Sequence, residues 1–307
     1  MAATLTQTLA ENRSSADINS AQARTTLDAL RCLQERLPEY HCQPATGMHY
    51  GEQIKYVTWR FSQQEFKSIE VVHLTDTQFG HVCCNIKQLV KYRDWVLEVP
   101  NRFVFLGGDM IDAANIFSPG EPWENLFSPQ RQLFKFCELL APMRPRILGY
   151  CGGNHERRGI KTFGDLGVTI ASLLRIPYSA GQQFINIQFG KHRADAPFQI
   201  FGWHGRGAAR TVGAKAMMVY YAMRELSGGA HVTLVGHLHS ALQLWATHRV
   251  HDRDKNRIMD RKITGAMSSS FLDYFGSYGE VGGMSPSDII MARTVIESDG
   301  KWMLTVR

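Results

Sequence analysis

From Ile54 onward the chain alternates short apolar runs with amphipathic stretches. Ile54, Tyr56, Thr58 and Arg60 alternate with Lys55, Val57, Trp59 and Phe61, which predicts an edge-type strand. Ile69 to Leu74 is instead apolar almost throughout, the pattern of a strand buried on both faces. Asn85 can cap a helix through about Glu98, with Leu89, Val90, Tyr92, Trp95 and Val96 on its apolar face and Pro100 beyond its end. The pattern then repeats. Phe103 to Leu106 reads as a strand, about Pro129 to Leu140 as a helix and Ile147 to Cys151 as another strand. Three strands joined through helices predict parallel pairing by right-handed crossovers, with loops converging at one sheet edge.

The C-terminal half is richer in strands: Phe184 to Phe189, Phe198 to Trp203, Val232 to Val235, Ala241 to Thr247, Ile289 to Ile296 and Trp302 to Val306. One helix, about Lys215 to Leu226, interrupts them, and Ser298-Asp299-Gly300 supplies hairpin-turn chemistry between the last two strands. A second sheet packed on the first is the economical arrangement. Ahead of this region, residues 1 to about 20 are small and polar. Leu27, Leu30, Leu33 and Leu37 then recur at near-helical spacing before Pro38. The expected organisation is therefore an arm and amphipathic helix over residues 1–50, packed on the domain or binding a partner, and one α/β domain over 51–307.

Composition narrows this little. The chain has 307 residues, 44% hydrophobic and 20% charged, with a formal charge of +6. This mild excess of positive charge suits an anionic substrate without establishing nucleic-acid binding. Six cysteines, Cys32, Cys42, Cys83, Cys84, Cys137 and Cys151, form no C-x-x-C pair, so free, mostly buried thiols are expected. The first residues lack a basic start followed by an apolar core, and no run approaches the roughly 18 to 20 apolar residues that span a bilayer. A cytoplasmic protein is expected, with no membrane partner; oligomeric state is not legible.

Five segments concentrate the chemistry: Asp76-Thr77-Gln78, Gly108-Asp109, Gly153-Asn154-His155-Glu156, His204 and Gly236-His237-Leu238-His239. Each follows an apolar strand-like run, and each supplies oxygen or imidazole donors suited to first-row divalent metals. Hard anionic oxygen is needed to bring two cations together, which makes Asp109 the natural bridge. Asp76, Gln78, Asp109 and His239 would surround one metal. Asp109, Asn154, His204 and His237 would surround the other.

In their order and types these segments resemble the calcineurin-like metallophosphoesterases, whose pattern runs D-x-H, G-D, G-N-H-[DE], a lone His and G-H-x-H. The resemblance covers about Ile69 to Ser240. It implies a four-layer α/β/β/α sandwich with a dinuclear site at the carboxyl edges of two sheets. It carries the ligand roles onto Asp76, Asp109, Asn154, His204, His237 and His239, and makes His155 the acid that contacts the substrate phosphate. One departure stands out: Gln78 occupies the place of a histidine, a neutral oxygen donor that points to altered metal preference. Two divalent ions are implied, Mn²⁺ foremost because the donor set is rich in oxygen, with Mg²⁺, Fe²⁺, Ni²⁺ or Zn²⁺ as alternatives.

The expected activity is phosphoester hydrolysis, by attack of a hydroxide bridging the two metals while His155 protonates the leaving oxygen. Asn154 and Arg157, or its neighbour Arg158, are placed near the phosphate; Glu156 is expected to orient the imidazole or cap a turn. His81 reads as a surface residue. Arg206 and Arg210 precede a helix where an anion could sit, and Trp203 and Trp245 read as core. A basic hairpin at 248–262 and an aromatic, Gly- and Ser-rich loop at 268–287 with Phe271, Tyr274, Phe275 and Tyr278 favour a phosphodiester in nucleic acid or a nucleotide. The alternatives are a phosphomonoesterase acting on protein or metabolite and, on the strength of Gln78, a non-catalytic binding module.

Overall fold

The computed structural model describes residues 53–307 except 117, 119–120, 162–163, 191–196 and 254–255, with a few positions before them: 28, 31, 35, 37 and 43–44. The expected N-terminal arm and most of its helix lie outside the described residues. The described strands form two sheets. Six strands are ordered β13-β12-β3-β4-β5-β6: Trp302–Val306, Ala292–Glu297, Ser68–Leu74, Arg102–Leu106, Ile147–Cys151 and Tyr178–Ser179. Seven are ordered β1-β2-β7-β8-β9-β11-β10: Gln43–Pro44, Tyr56–Phe61, Gln182–Phe189, Phe198–Trp203, Val232–Val235, Arg257–Met267 and Leu242–Asp252.

Parity along the strands explains the layers. In β3 and β4, Ile69, Val71, Phe103 and Phe105 point between the sheets, where they meet Val57, Trp59, Phe61, Ile185, Ile200 and Leu234. The alternate residues Val72, Leu74, Val104 and Leu106 point outward under the helices Ile86–Leu97, Pro129–Leu140 and Leu166–Leu174. Burial on both faces is why these strands read as unbroken apolar runs. On the far side, Val219 and Met223 of the helix Val212–Tyr221 and its π-turn extension Ala222–Leu226 cover Val235, Ile263 and Met267. The result is a four-layer α/β/β/α sandwich.

The expected helices at 85–98 and 129–140 form; Asn85 Oδ1 accepts from Gln88 N–H, the anticipated cap, and Ser128 Oγ accepts from Arg131 N–H, a cap not read from the sequence. β3, β4 and β5 pair in parallel as expected. Three readings change. Tyr56–Phe61 is flanked by β1 and β7 and is not an edge strand. The helix Leu166–Leu174, capped by Asp165, escapes a helical reading because it is apolar on most sides, with Leu166, Ile170, Ala171, Leu173 and Leu174 all buried. Ala241 to Thr247 extends to Asp252, so the basic segment 248–262 is the outer half of a long β10–β11 hairpin. Trp245 on its outer face is 71% exposed and is not core.

The two sheets close most tightly at Gly202 in β8. A Cβ there would lie 1.9 Å from the ring of Phe105, itself fully buried. Gly202→Ala is therefore expected to cost about 1–3 kcal/mol through overpacking, read as a lower thermal midpoint; an unchanged midpoint would show that the intersheet space can yield.

Candidate metal centre

The carboxyl ends of β3, β4 and β5 in one sheet and of β8 and β9 in the other meet along one line. Asp76, Asp109, Asn154, His204 and His237 each leave their strand there. At this edge Asp76, Gln78, Asp109, His237 and His239 all adopt positive φ, between 42° and 72°. Such left-handed backbone in residues with a Cβ costs on the order of 1–3 kcal/mol each and persists only where surroundings enforce it. The enforcement is visible. Asp76 N–H donates to Gly108 O (2.9 Å), Gln78 N–H to Asp109 O (3.0 Å), and Gly236 N–H to His204 O (2.9 Å).

Glu156 is the main brace. Fully buried, its carboxylate accepts from Asp109 N–H (3.0 Å), Met110 N–H (2.6 Å), Gly153 N–H (2.9 Å) and Tyr150 O–H (2.8 Å). It therefore ties the loop after β4 to the loop after β5; it neither caps the turn nor touches the imidazole of His155 in any hydrogen bond among the described residues. Burial and the charge of Asp109 push its carboxyl upward from the usual range. Gly153 completes the joint, since a Cβ there would sit 2.0 Å from Asp109 Oδ1.

Two clusters of side chains form at this edge, one around Asp76 and His239 and one around Asp109, His204 and His237. Asp76 Oδ2 is taken by Thr75 O–H (2.7 Å) and His237 N–H (3.0 Å), which leaves Oδ1 facing His239 Nε2 at 3.2 Å. Gln78 lies beside them, its Nε2 3.1 Å from His239 Nε2 and donating to the Tyr278 hydroxyl oxygen Oη at 2.5 Å, so its Oε1 is turned the other way. In the second group, His204 Nδ1 donates to Gly107 O (2.8 Å) and presents Nε2 to Asp109 Oδ2 at 3.0 Å. The donor atoms of Asp109, His204 and His237 all lie within 4.8 Å of one another.

A cation fits this arrangement. Asp76 Oδ1, Gln78 Oε1 and His204 Nε2 are buried yet accept or donate no aligned hydrogen bond, although His204 Nε2 and Asp76 Oδ1 each have an opposite partner about 3 Å away. Buried lone pairs converging without satisfaction are costly unless something between them is coordinated. Without such an ion the charges distort one another. Burial raises the Asp109 and Asp76 carboxyls, but the surrounding histidines outweigh it and hold both below the usual range. Burial likewise opposes a charge on His204, yet Asp109 and Asp76 raise it to about 10.

Beside the ligands opens a cleft of about 420 Å³. Asn154 is exposed on its wall, and His155 is buried with its backbone N–H donating to Asp109 Oδ1 (2.8 Å). The imidazole Nδ1 of His155 lies 3.1 Å from Asp112 Oδ1, and Nε2 lies 2.9 Å from Arg158 Nη2. Asp112 and Arg158 thus flank the histidine, and Arg158 also donates to Asp112 O. Of the two arginines, Arg158 lines the cleft; Arg157 is exposed and does not. A turn that starts at His155 brings a residue three positions on back over the ring, not one two positions on. His81 is 2% exposed, not superficial, and pairs with Glu124 at 3.4 Å.

Asp112 escaped the sequence reading, and the sequence marks Tyr278 only as one aromatic of the 268–287 loop, not as a partner of Gln78. Asp112 lies three residues after Asp109, the only hint available; Tyr278 arrives from 200 positions beyond Gln78, on the 268–287 loop that wraps the site. The same loop buries Phe271 and leaves Phe275 81% exposed. The basic hairpin does not share the site. β10 starts just beyond His239 and its turn lies ten residues away, roughly 30 Å at strand rise. Its charges are also engaged locally, Arg249 with Asp260 (2.7 Å) and Arg261 with Gly229 O (3.1 Å).

The sequence matches no protein-family model and no curated protein. Among solved structures it is similar to a metallophosphoesterase from Sphaerobacter thermophilus, at 12% identity and TM-score 0.36, over 78% of this chain and 87% of that one. It is also similar to a protein serine/threonine phosphatase from Saccharomyces cerevisiae, at 9% identity and TM-score 0.40, over 92% and 89%. A third is the NAD nucleotidase of Haemophilus influenzae, at 9% identity and TM-score 0.34, of which this chain covers 49% while 78% of this chain is matched.

Two outcomes are expected of the centre. A His204 held near pKa 10 by its carboxylates is protonated at neutral pH and must lose that proton to ligate. Mn²⁺ binding at pH 7 should therefore release about one proton and weaken as pH falls, measurable by calorimetry in buffers of different ionisation enthalpy; binding that is independent of buffer would exclude His204 as a ligand. Glu156→Gln turns an NH₂ toward backbone N–H donors and should cost about 1–3 kcal/mol of stability, with loosened metal binding. Full metal affinity in a folded Glu156→Gln protein would refute the bracing role.

Proposed function

We propose that this chain is a dinuclear, metal-dependent phosphoester hydrolase that acts on phosphodiesters. The observation that supports it most directly is the convergence of Asp76, Gln78, Asp109, His204, His237 and His239, from four loops of two sheets, with three of their donor atoms buried and unsatisfied beside a cleft. Asp109 would be shared, Asp76, Gln78 and His239 would complete one position, and Asn154, His204 and His237 the other. When bound, divalent cations supply positive charge that makes water acidic near neutral pH and offsets charge on phosphoryl oxygens.

The chain's own residues do the rest. Asn154, exposed on the cleft wall, offers an amide donor to a phosphoryl oxygen. Asp112 Oδ1 stands 3.1 Å from Nδ1 of His155 as an opposite charge and so favours the ring orientation with Nε2 toward the cleft, where a protonated imidazole can give its proton to the leaving oxygen. Arg158 holds that Nε2 position in the present structure; a leaving oxygen that takes it over frees the guanidinium for the phosphate, which arginine meets bidentately. The Tyr278 hydroxyl accepts from the Gln78 amide nitrogen and so fixes that side chain beside His239. Retention of His155 and its supports speaks against a purely binding role.

Three measurements test this. Mn²⁺-loaded protein should hydrolyse bis-(p-nitrophenyl) phosphate faster than the monoester, and Mn²⁺ should outperform Zn²⁺ at matched occupancy because Asp76, Gln78 and Asn154 add oxygen donors beyond Asp109. Preference for the monoester would shift the reading to a phosphomonoesterase, and two bound metals without turnover on any phosphoester would shift it to a binding module. Asp109→Asn should abolish both metal binding and turnover. His155→Asn should keep the metals and slow turnover by roughly 10²- to 10⁴-fold, less with a good leaving group such as p-nitrophenolate; an equal loss with poor and good leaving groups would remove the proton-donor role.

A further inference from the structure

Several half-buried arginines in this protein sit against carboxylates: Arg102 and Arg293 share Glu70, and Arg158 pairs with Asp112. Lys215 is placed differently. It lies in the first turn of the helix Val212–Tyr221, is 4% exposed and lines the cleft, yet among the described residues its ammonium has no carboxylate within ion-pair distance. Its hydrogen bond is to the hydroxyl of Ser240. The nearest charge that acts on it is another cation, Arg210, which lines the same cleft just ahead of the helix and also lacks an ion pair among the described residues. A buried ammonium next to a guanidinium, with no counter-charge in the fold, is unfavourable as it stands.

Its position says what would balance it. Ser240 follows the ligand His239 directly, so Lys215 stands beside the metal ligands on the side of the seven-stranded sheet. His155 and Arg158 stand on the other side, on the loop after β5 of the six-stranded sheet, and they line the same cleft. Of the carboxylates that line the cleft, Asp112 is engaged by Arg158 and His155 and Glu124 by His81, and the exposed Glu121 pairs with neither Lys215 nor Arg210 among the described residues. A phosphoester laid across the ligands with its leaving group at His155 therefore directs its retained part toward Arg210 and Lys215.

We propose that Lys215 and Arg210 form an anion subsite for a second negatively charged group, such as a neighbouring phosphate, on the retained part of the substrate. This deepens the hydrolase reading and rests on it. Arg206, in the same Gly-rich stretch, is exposed and away from the cleft lining, so the subsite is specific to Arg210 and Lys215. Gly282 and Gly283 of the 268–287 loop adjoin the Arg210 guanidinium: a Cβ added to either would lie 3.9 or 3.5 Å from its Nη1, in ordinary contact.

The test is binding as well as turnover. Calorimetry on Mn²⁺-loaded protein compares thymidine 3′,5′-bisphosphate with thymidine 5′-monophosphate, in the native chain and in Lys215→Met and Arg210→Ala; Arg210 is exposed, so its variant should fold. The native protein should prefer the bisphosphate by roughly tenfold or more, about the effect of one charge-assisted contact, and each variant should lose most of that preference. Equal affinity for both nucleotides in the native protein would overturn the proposal, as would variants that weaken both by the same factor, since the two cations would then serve the reacting phosphate or the fold. The preference should also appear in kcat/KM for the p-nitrophenyl esters of the 5′-phosphates. A native protein that shows the binding preference but hydrolyses neither ester would refute the hydrolase reading and leave the subsite standing.

Discussion

The buried carboxylate of Glu156 is the joint on which the rest of this structure hangs. By accepting from the backbone of Asp109, Met110 and Gly153 and from the Tyr150 hydroxyl, it fuses two strand-exit loops into one rigid piece. Asp109 can then hold a left-handed backbone and a carboxylate pressed against Gly153, a conformation that a free loop would abandon. Within the same sheet the loop after β3 joins this piece as Asp76 N–H donates to Gly108 O, and the second sheet joins it through His204, whose Nδ1 bonds Gly107 O.

Charge is concentrated where hydrophobic packing can least tolerate it. Asp76 and Asp109 are 0% and 1% exposed, and His204 is drawn into a protonated state between them. Such a cluster is expensive to bury and serves no packing role, since the cores above and below are filled by Ile, Val, Leu and Phe. Divalent cations would replace the histidine proton and satisfy the oxygens and nitrogens at once, so metal binding and local folding are coupled at this edge. The cleft wall then divides by sheet, with His155 and Arg158 held by Asp112 on one side and the uncompensated Lys215 and Arg210 on the other.

Substrate-facing features and charge-rich features turn out to be different parts of the chain. The basic hairpin spends its charges along its own length and points away from the site, whereas the 268–287 loop, modest in charge, brings Tyr278 onto Gln78 and His239 and carries Gly282 and Met284 to the cleft. Net charge said little about either, because what matters is which cations lack a carboxylate at short range.

The order of apolar runs and the residues at their ends determined much by themselves. The helix cap at Asn85, the parallel β3-β4-β5 unit and the loops holding Asp76, Asp109, Asn154, His204, His237 and His239 were legible, since period-2 burial and local capping act over a few residues. Tertiary structure alone decided the partners. Arg158 rather than Arg157 faces the cleft because the turn after His155 rotates it there, His81 is buried by Glu124 from a distant loop, and Trp245 is left outside because β10 is the last strand of its sheet. Tyr278, Asp112 and Lys215 gain meaning only through contacts set by how two sheets stack, and no local pattern of hydrophobic and polar residues encodes which loops of one sheet meet which loops of the other.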